Sequence, residues 1–197
     1  MAKSRNFLVV GVGGQGTILA GDILAEVGML AGFDSKKSDI LGLAVRGGSV
    51  ASHIRWGDRV GAPMNMYGTV DYLVAAEPLE ALRSIRYLKK ESTVIYNEYV
   101  LQPMLVSTGK AEYPEHEALV GQLRAASARL ISYDATTMAE GVGSPKAANI
   151  ALLGTLSALI DDVPPAVWET AILKYVPAKV SDVNIRAFRA ARGAALQ

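Results

Sequence analysis

Apolar and polar positions along this chain fall into blocks of different period. Phe7–Val10 is a short continuous apolar run that ends at a glycine-rich stretch, and it predicts a buried strand over about Asn6–Val10. From Gln15 to Ala31 the residues Ile18, Leu19, Ile23, Leu24, Val27 and Leu30 cover a wide face, which predicts a largely buried helix. Gly21 and Gly28 lie inside it. Glycine costs about 1 kcal/mol in a helix interior, so the two glycines predict close approach of a neighbour. Ser49–Trp56 alternates: Val50, Ile54 and Trp56 share one face, and Ser49, Ala51, His53 and Arg55 the other. That pattern predicts a strand with one wet face. Gly57-Asp58 reads as a turn into a further short strand, so the block predicts a hairpin and not a βαβ unit.

Strand and helix then alternate. The stretch 71–77 predicts a strand, and 78–90 a helix with Pro78 in its first turn. Strands are expected at 93–98 and, more briefly, near Met104–Ser107. A helix follows at 115–127, a strand at 129–135, and a helix at 144–160 that opens on Ser144 as N-cap and Pro145 in its first turn. The stretches 164–176 and 181–196 predict further helices. Such alternation predicts an α/β fold: three α/β/α layers, a mixed and mostly parallel sheet, a Rossmann-like start and a β-hairpin insertion. No repeat or low-complexity linker interrupts it, so residues 1–197 are expected to form one domain.

Composition narrows the chemistry. Half of the residues are hydrophobic, and 20 Lys and Arg face 19 Asp and Glu for a net charge of +1. That is a globular balance with no basic tract, so no nucleic-acid partner is expected. The first apolar run is too short for a signal peptide or a membrane span, which predicts a cytoplasmic chain with no membrane partner. There are 0 cysteines. Disulfides, a thiolate nucleophile and an iron–sulfur cluster ligated by this chain alone are therefore excluded. The two histidines, His53 and His116, lie in unrelated surroundings, and no metal site is expected. His53 falls on the wet strand face, where a solvated ring is expected, and His116 near a helix start has no visible dyad partner. Ser49 and Thr17 have no neighbouring base in sequence, so a hydrolase triad has no support. Glu77 and Glu80 flank Pro78 at a helix start, where carboxylates suit the helix dipole. Trp56, Met66 and Tyr67 read as packing or interface residues.

Gly11, Gly13 and Gly16 carry the G-x-G-x-x-G spacing between a strand and a helix, the context of a dinucleotide-binding turn. Free amides at the helix start would attract an anion. The acidic residue that such a site places about 20 positions on is represented only by Asp34, near the start of a second strand, and by Asp39. The other reading is that the glycines let strand, helix and a neighbouring surface approach closely. A second candidate is Arg46-Gly47-Gly48-Ser49: arginine offers a planar fork to carboxylate or phosphate, and the two glycines admit a ligand or another chain. The plainer alternative is a glycine turn beside a solvated arginine. The third is Asn149, polar within an apolar helix and in need of a partner if buried. The site residues expected on these grounds are Gly11, Gly13, Gly14, Gln15, Gly16, Thr17, Arg46, Gly47, Gly48, Ser49 and Asn149, with no catalytic side chain and no metal ligand among them.

"GVGGQGTILA" at the N-terminus, followed by "RGGSVASHIRWG" (46–57), "EPLEALRSIRYLK" (77–89), "AANIALLGTLSAL" (147–159) and "VPAKVSDVNIRAF" (176–188), resembles the gamma subunit or domain of thiamine-diphosphate-dependent 2-oxoacid:ferredoxin oxidoreductases. The resemblance covers essentially the whole chain, in order. Among the subfamilies it is nearest to the small (beta) subunit of indolepyruvate:ferredoxin oxidoreductases. It implies a reaction in which an arylpyruvate, coenzyme A and oxidised ferredoxin give an arylacetyl-CoA, carbon dioxide and reduced ferredoxin. Thiamine diphosphate, Mg²⁺ and 4Fe–4S clusters would reside on a large partner subunit, in a heterodimer or heterotetramer, with ferredoxin reached through the complex. The glycine turn would then meet a phosphate of coenzyme A or the partner's backbone. Leu41 and Val45 depart from that subfamily, which usually carries histidine and glutamine there, and this leaves related aryl-2-oxoacids open as substrates. A free-standing NAD(P)-dependent dehydrogenase and a non-catalytic nucleotide- or acyl-CoA-binding module are the competing readings.

Overall fold

A computed structural model describes residues 4–42, 47–102, 106, 108–109 and 112–197. The first strand, β1 (Arg5–Val12), is buried along nearly its whole length, as its apolar run demands. It leads through the glycine turn into α1 (Thr17–Leu30). The next elements are β2 (Asp34–Leu41) and β3 (Ser49–Gly57). β4 (Val70–Ala75) is followed by α2 (Pro78–Arg83), a 3₁₀ turn at Ile85–Tyr87 and β5 (Leu88–Asn97). Then come α3 (His116–Ala126), β6 (Arg129–Tyr133) and α4 (Ala135–Gly141). A 3₁₀ turn at Pro145–Ala147 opens α5 (Ala148–Ala158), and α6 (Pro165–Tyr175) and α7 (Ala178–Ala195) follow.

The strands form one sheet in the order β2-β3-β1-β4-β5-β6. β1, β4, β5 and β6 pair in parallel, and β3 is antiparallel to both β1 and β2. One face carries Phe7, Val9, Ile54, Trp56, Val74 and Ile95 beneath α1, α5, α6 and α7; the other carries Leu8, Val10, Leu73, Val94 and Tyr96 beneath α2 and α3. The α/β class, the mixed sheet and the layering match expectation.

The glycines inside α1 mark close packing. A Cβ on Gly28 would stand 2.3 Å from Trp56 Nε1, and one on Gly21 would stand 2.8 Å from Ser52 Cβ. No residue larger than glycine fits either place without moving β3 away from the helix.

Several boundaries differ from expectation. The hairpin partner of β3 precedes it: β2 pairs along β3 from Asp34↔Gly57 to Leu41↔Val50, and no strand lies between Gly57 and Val70. Polar "DSKKSD" conceals this strand because β2 is a sheet edge, with Lys37 held between Asp22 at 2.8 Å and Asp39 at 2.6 Å. The helix expected over 78–90 ends at Arg83, and the chain is already in β5 at Leu88. Ala135 begins a helix instead of ending a strand, because Asp134 caps it by accepting from Thr137 N at 2.8 Å. The last helix starts at Ala178, after Pro177. His53 is not solvated: it is fully buried beneath the 58–69 connection, where Nδ1 accepts from Asn65 N at 3.3 Å and the ring meets Tyr87 edge-on at 5.3 Å. Strand alternation reports which face a residue points to, not what the next connection lays over that face. The short strand expected near Met104–Ser107 falls, apart from Val106, outside the described residues.

Candidate functional site

The C-terminal end of β1 is the point where the chain's crossovers diverge. α1 carries the chain to β2 on one side of β1, while β4 and β5 lie on the other. Open α/β sheets bind ligands in the crevice at such a point.

The glycine turn lies there. Gly14 has φ 107°, and Gly16, the N-cap of α1, has φ 74°. Those values suit glycine alone at little cost. Gln15 folds back beneath the turn: its Oε1 accepts from Val12 N at 2.8 Å and its Nε2 donates to Ala76 O at 3.1 Å. This side chain joins the end of β1 to the residue after β4, and a Cβ on Gly11 would come within 3.1 Å of its Oε1. Asn149, buried at the start of α5, donates to Gly16 O at 2.9 Å and accepts from Ile150 N at 2.9 Å. Gln15 and Asn149 thus hold the turn from below and behind, with their polar atoms already satisfied.

The turn's outer face is different. α1 has no side-chain cap and no acidic residue in its first turn. A helix leaves its first amides without intrahelical acceptors, and the dipole adds partial positive charge there. Thr17 is buried, and its Oγ1, which has no hydrogen-bond partner among the described residues, is turned inward, where a Cβ on Gly11 would stand 2.5 Å from it. A groove of about 440 Å³ opens over these groups, lined by the glycine backbone and by Val12, Ile18, Leu41 and Val50. It combines an uncapped helix start, a place suited to an anion, with an apolar wall.

The second glycine segment closes on the first. Gly13 N donates to Gly48 O at 2.8 Å, and Gly47 N donates to Gly13 O at 3.4 Å. These bonds extend the β1–β3 ladder beyond Val12↔Ser49. Gly11, Gly13, Gly14, Gln15, Gly16, Thr17, Gly47, Gly48, Ser49 and Asn149 are therefore neighbours in space. Arg46 lies outside the described residues.

The acidic residue of a dinucleotide site is not supplied. Asp34 opens β2 at the opposite edge of the sheet, paired with Gly57, and its carboxylate accepts from Val60 N at 2.7 Å. That bond holds its pKa below the usual carboxylate range. Asp39 lies level with Ser52 and hence Val9, bound to Lys37 and to Ser52 Oγ at 2.5 Å. At the top of β2, where a ribose-binding acid would stand, the residue is Leu41.

Sequence reasoning passed over one cluster. Glu77 and Glu80, at the start of α2, are both almost fully buried. Glu77 accepts from Glu80 N at 3.0 Å and from the Tyr113 hydroxyl at 2.6 Å. Burial pushes the Glu77 carboxyl up, against the opposing pull of the Tyr113 hydroxyl, and burial with the Glu77 bond pushes the Tyr113 phenol up. Glu80 accepts from Ser49 Oγ at 2.5 Å and from Arg83 Nη1 at 2.6 Å. The dipole argument places acids here, but only the fold shows that they are buried and that one of them grips the candidate loop. The position of "EPLE" just after the apolar run Leu73–Ala76 was the available signal.

Among the described residues no group of three or more His, Cys, Asp and Glu is arranged to hold a metal ion. No helix of the described residues is long and apolar enough to cross a membrane.

Comparison with known proteins agrees along the whole length. The family model described as pyruvate ferredoxin/flavodoxin oxidoreductase matches residues 6–194. The chain is 38% identical over 190 residues to an indolepyruvate oxidoreductase subunit IorB from Archaeoglobus fulgidus, covering 93% of this chain and 92% of that one. It is 33% identical over 188 residues to the subunit of the same name from Pyrococcus horikoshii, covering 94% and 93%. Among solved structures it is similar to the gamma subunit of a keto/oxoacid ferredoxin oxidoreductase from Geobacter sulfurreducens, with a TM-score of 0.72, 25% identity and 98% of each chain covered. The chain belongs to the pyruvate ferredoxin/flavodoxin oxidoreductase family.

Proposed function

We propose that this chain is the small subunit of an aryl-2-oxoacid:ferredoxin oxidoreductase, with indolepyruvate as the leading substrate, and that it holds no redox centre itself. The observation that carries this reading is the nearly end-to-end similarity to indolepyruvate oxidoreductase small subunits. The division of labour follows from the donor set. With 0 cysteines the chain has no thiolates for an iron–sulfur cluster. The clusters and the thiamine diphosphate with its Mg²⁺ belong to a large partner subunit, and ferredoxin is reduced through the complex, in the cytoplasm. Residues 1–197 act as one domain in that assembly.

This chain's own part is to bind and orient coenzyme A. The uncapped first turn of α1 and the Gly13–Gly14 backbone suit a phosphate. The wall formed by Val12, Ile18, Leu41 and Val50 suits an apolar arm of the same molecule. Arg46, the residue before Gly47 in the chain, is the proposed source of a guanidinium for the same ligand. Coenzyme A supplies the thiol that accepts the acyl group; the groove's task is to hold its charged end. A free-standing dehydrogenase lacks its acid, because Asp34 and Asp39 are both engaged elsewhere.

Two measurements test this. The native chain should co-purify with a large, brown, cysteine-rich subunit, and arylpyruvate-dependent ferredoxin reduction should need both. In that complex Arg46→Ala should raise KM for coenzyme A by about tenfold, the cost of one charge-assisted contact, and spare assembly. A colourless chain that reduces NAD alone refutes the subunit reading, and unchanged coenzyme A kinetics refutes the binding role of Arg46.

A further inference from the structure

The 47–49 segment poses a mechanical problem. It carries two adjacent glycines, whose backbones lose the most freedom on ordering. Its contacts with the glycine turn are two backbone bonds, one of them long at 3.4 Å. Something must hold its other end. Ser49 does so twice: its carbonyl accepts from Gly42 N at 3.0 Å, and its Oγ donates to Glu80 Oε2 at 2.5 Å.

Glu80 is equipped as an anchor. It is 2% exposed, so it cannot reach a ligand in the groove. Its other carboxylate oxygen is taken by Arg83, its amide donates to Glu77, and its carbonyl accepts from Ser84 Oγ at 2.9 Å. Glu77 is fixed in turn by Tyr113. A single acid tied on both oxygens and on its backbone transmits the rigidity of α2 to the start of β3. A carboxylate that only paired with Arg83 would not need burial, because Arg83 itself is more than one-third exposed.

We propose that Glu80 is a positioning residue for the coenzyme A groove: from its buried seat it fixes Ser49 and thereby sets the Gly47–Gly48 backbone against Gly13. This rests on the coenzyme A reading above. Glu80 acts only through Ser49, so losing either group loosens the same backbone bonds.

The test uses the purified two-subunit complex carrying Glu80→Gln, Ser49→Ala, both together, or Ser49→Thr. Hydrogen exchange is followed at the amides of Gly13, Gly42 and Gly47, and steady-state rates are measured with coenzyme A and with the 2-oxoacid varied. In Glu80→Gln those amides should exchange about tenfold faster. KM for coenzyme A should rise about fivefold in that variant, the net cost of losing one ordinary hydrogen bond, while kcat and the 2-oxoacid KM hold. The double variant should exchange no faster than the more affected single one, and Ser49→Thr, which keeps the hydroxyl, should match wild type. Unchanged exchange in Glu80→Gln overturns the proposal, and so do additive effects in the double variant. Faster exchange with an unchanged coenzyme A KM also overturns it. In that case Arg46→Ala locates the error: if it is silent too, coenzyme A does not bind here; if it responds, only the role of Glu80 is wrong.

Discussion

Exchanging Asn149 for aspartate changes no shape and removes one donor. In the native chain Asn149 Nδ2 donates to Gly16 O at 2.9 Å, and Oδ1 accepts from Ile150 N at 2.9 Å. The residue is 5% exposed. In Asn149→Asp at neutral pH, a carboxylate oxygen faces the Gly16 carbonyl, acceptor against acceptor. The lost hydrogen bond costs about 1 kcal/mol. Desolvating a charge with one remaining donor costs a further 1–2 kcal/mol or so, reduced by the favourable dipole at the start of α5. The net loss is about 2–3 kcal/mol, or roughly 5–10 °C in Tm for a chain of this size.

The sign with pH is fixed. Burial and the facing carbonyl raise the introduced carboxyl's pKa in the folded state, so its neutral form is favoured there. Once protonated it can donate to Gly16 O and restore the native bond. The penalty is therefore full at pH 7.5 and shrinks as pH falls through the raised pKa toward about 4.5. Thermal unfolding followed by circular dichroism, with variant and wild type in parallel at each pH, isolates the effect because every other titration is common to both. A gap below 2 °C at pH 7.5, or one that does not narrow on acidification, would refute the view that Asn149 clamps the turn by donating to Gly16.

Two further outcomes follow from the packing. Gly28→Ala should lower stability by about 1–3 kcal/mol despite the better helix former, because its Cβ would stand 2.3 Å from the Trp56 ring; denaturant unfolding should show a lower midpoint with the slope unchanged. His53 is held neutral by burial, which depresses its pKa. Its contribution is present above the unfolded value near 6.5 and is lost as pH falls through the lower folded value; urea unfolding at pH 7.5 and 5.5 should therefore show a smaller loss on acidification in His53→Gln than in wild type.

What the sequence revealed, and what it hid, follow from where each signal lies. β1 and the C-terminal halves of β4 and β5 (Leu73–Ala75 and Val94–Tyr96) are legible because their residues are buried on both faces and read as apolar runs. α1 is legible because its stripe is wide and its glycines meet β3. β2 is hidden because an edge strand needs only one covered face, and here Lys37 and two aspartates occupy part of that face. The burial of His53, Glu77 and Glu80 is hidden for another reason. It depends on connections laid over the sheet from 12 to 36 residues away, through Asn65 for His53 and Tyr113 for Glu77. Local pattern can place a side chain on a face and cannot say what covers it. The glycine spacing is intermediate: it correctly locates a strand–turn–helix, and the partners that give the turn its shape come from Ala76 and Asn149, far along the chain.

The same spacing also shows why a glycine turn does not identify its ligand. In a dinucleotide fold the strand after the first helix pairs directly with β1 and ends in an acid beside the turn. Here β3 is inserted between β1 and β2. That insertion moves β2 one strand outward and brings the Gly47–Ser49 segment, not a carboxylate, against the turn. Leu41 ends β2, and its side chain helps to line the groove with Val12, Ile18 and Val50. The amides keep their affinity for an anion, since that depends only on the helix start. Selectivity for a ribose diol is lost, since it needs an acceptor that no longer has a place. A ligand matched to the proposed site would carry its negative charge beside an apolar arm and meet backbone from both glycine segments. The inserted strand thus leaves the electrostatics of the turn intact and changes which molecule it can select.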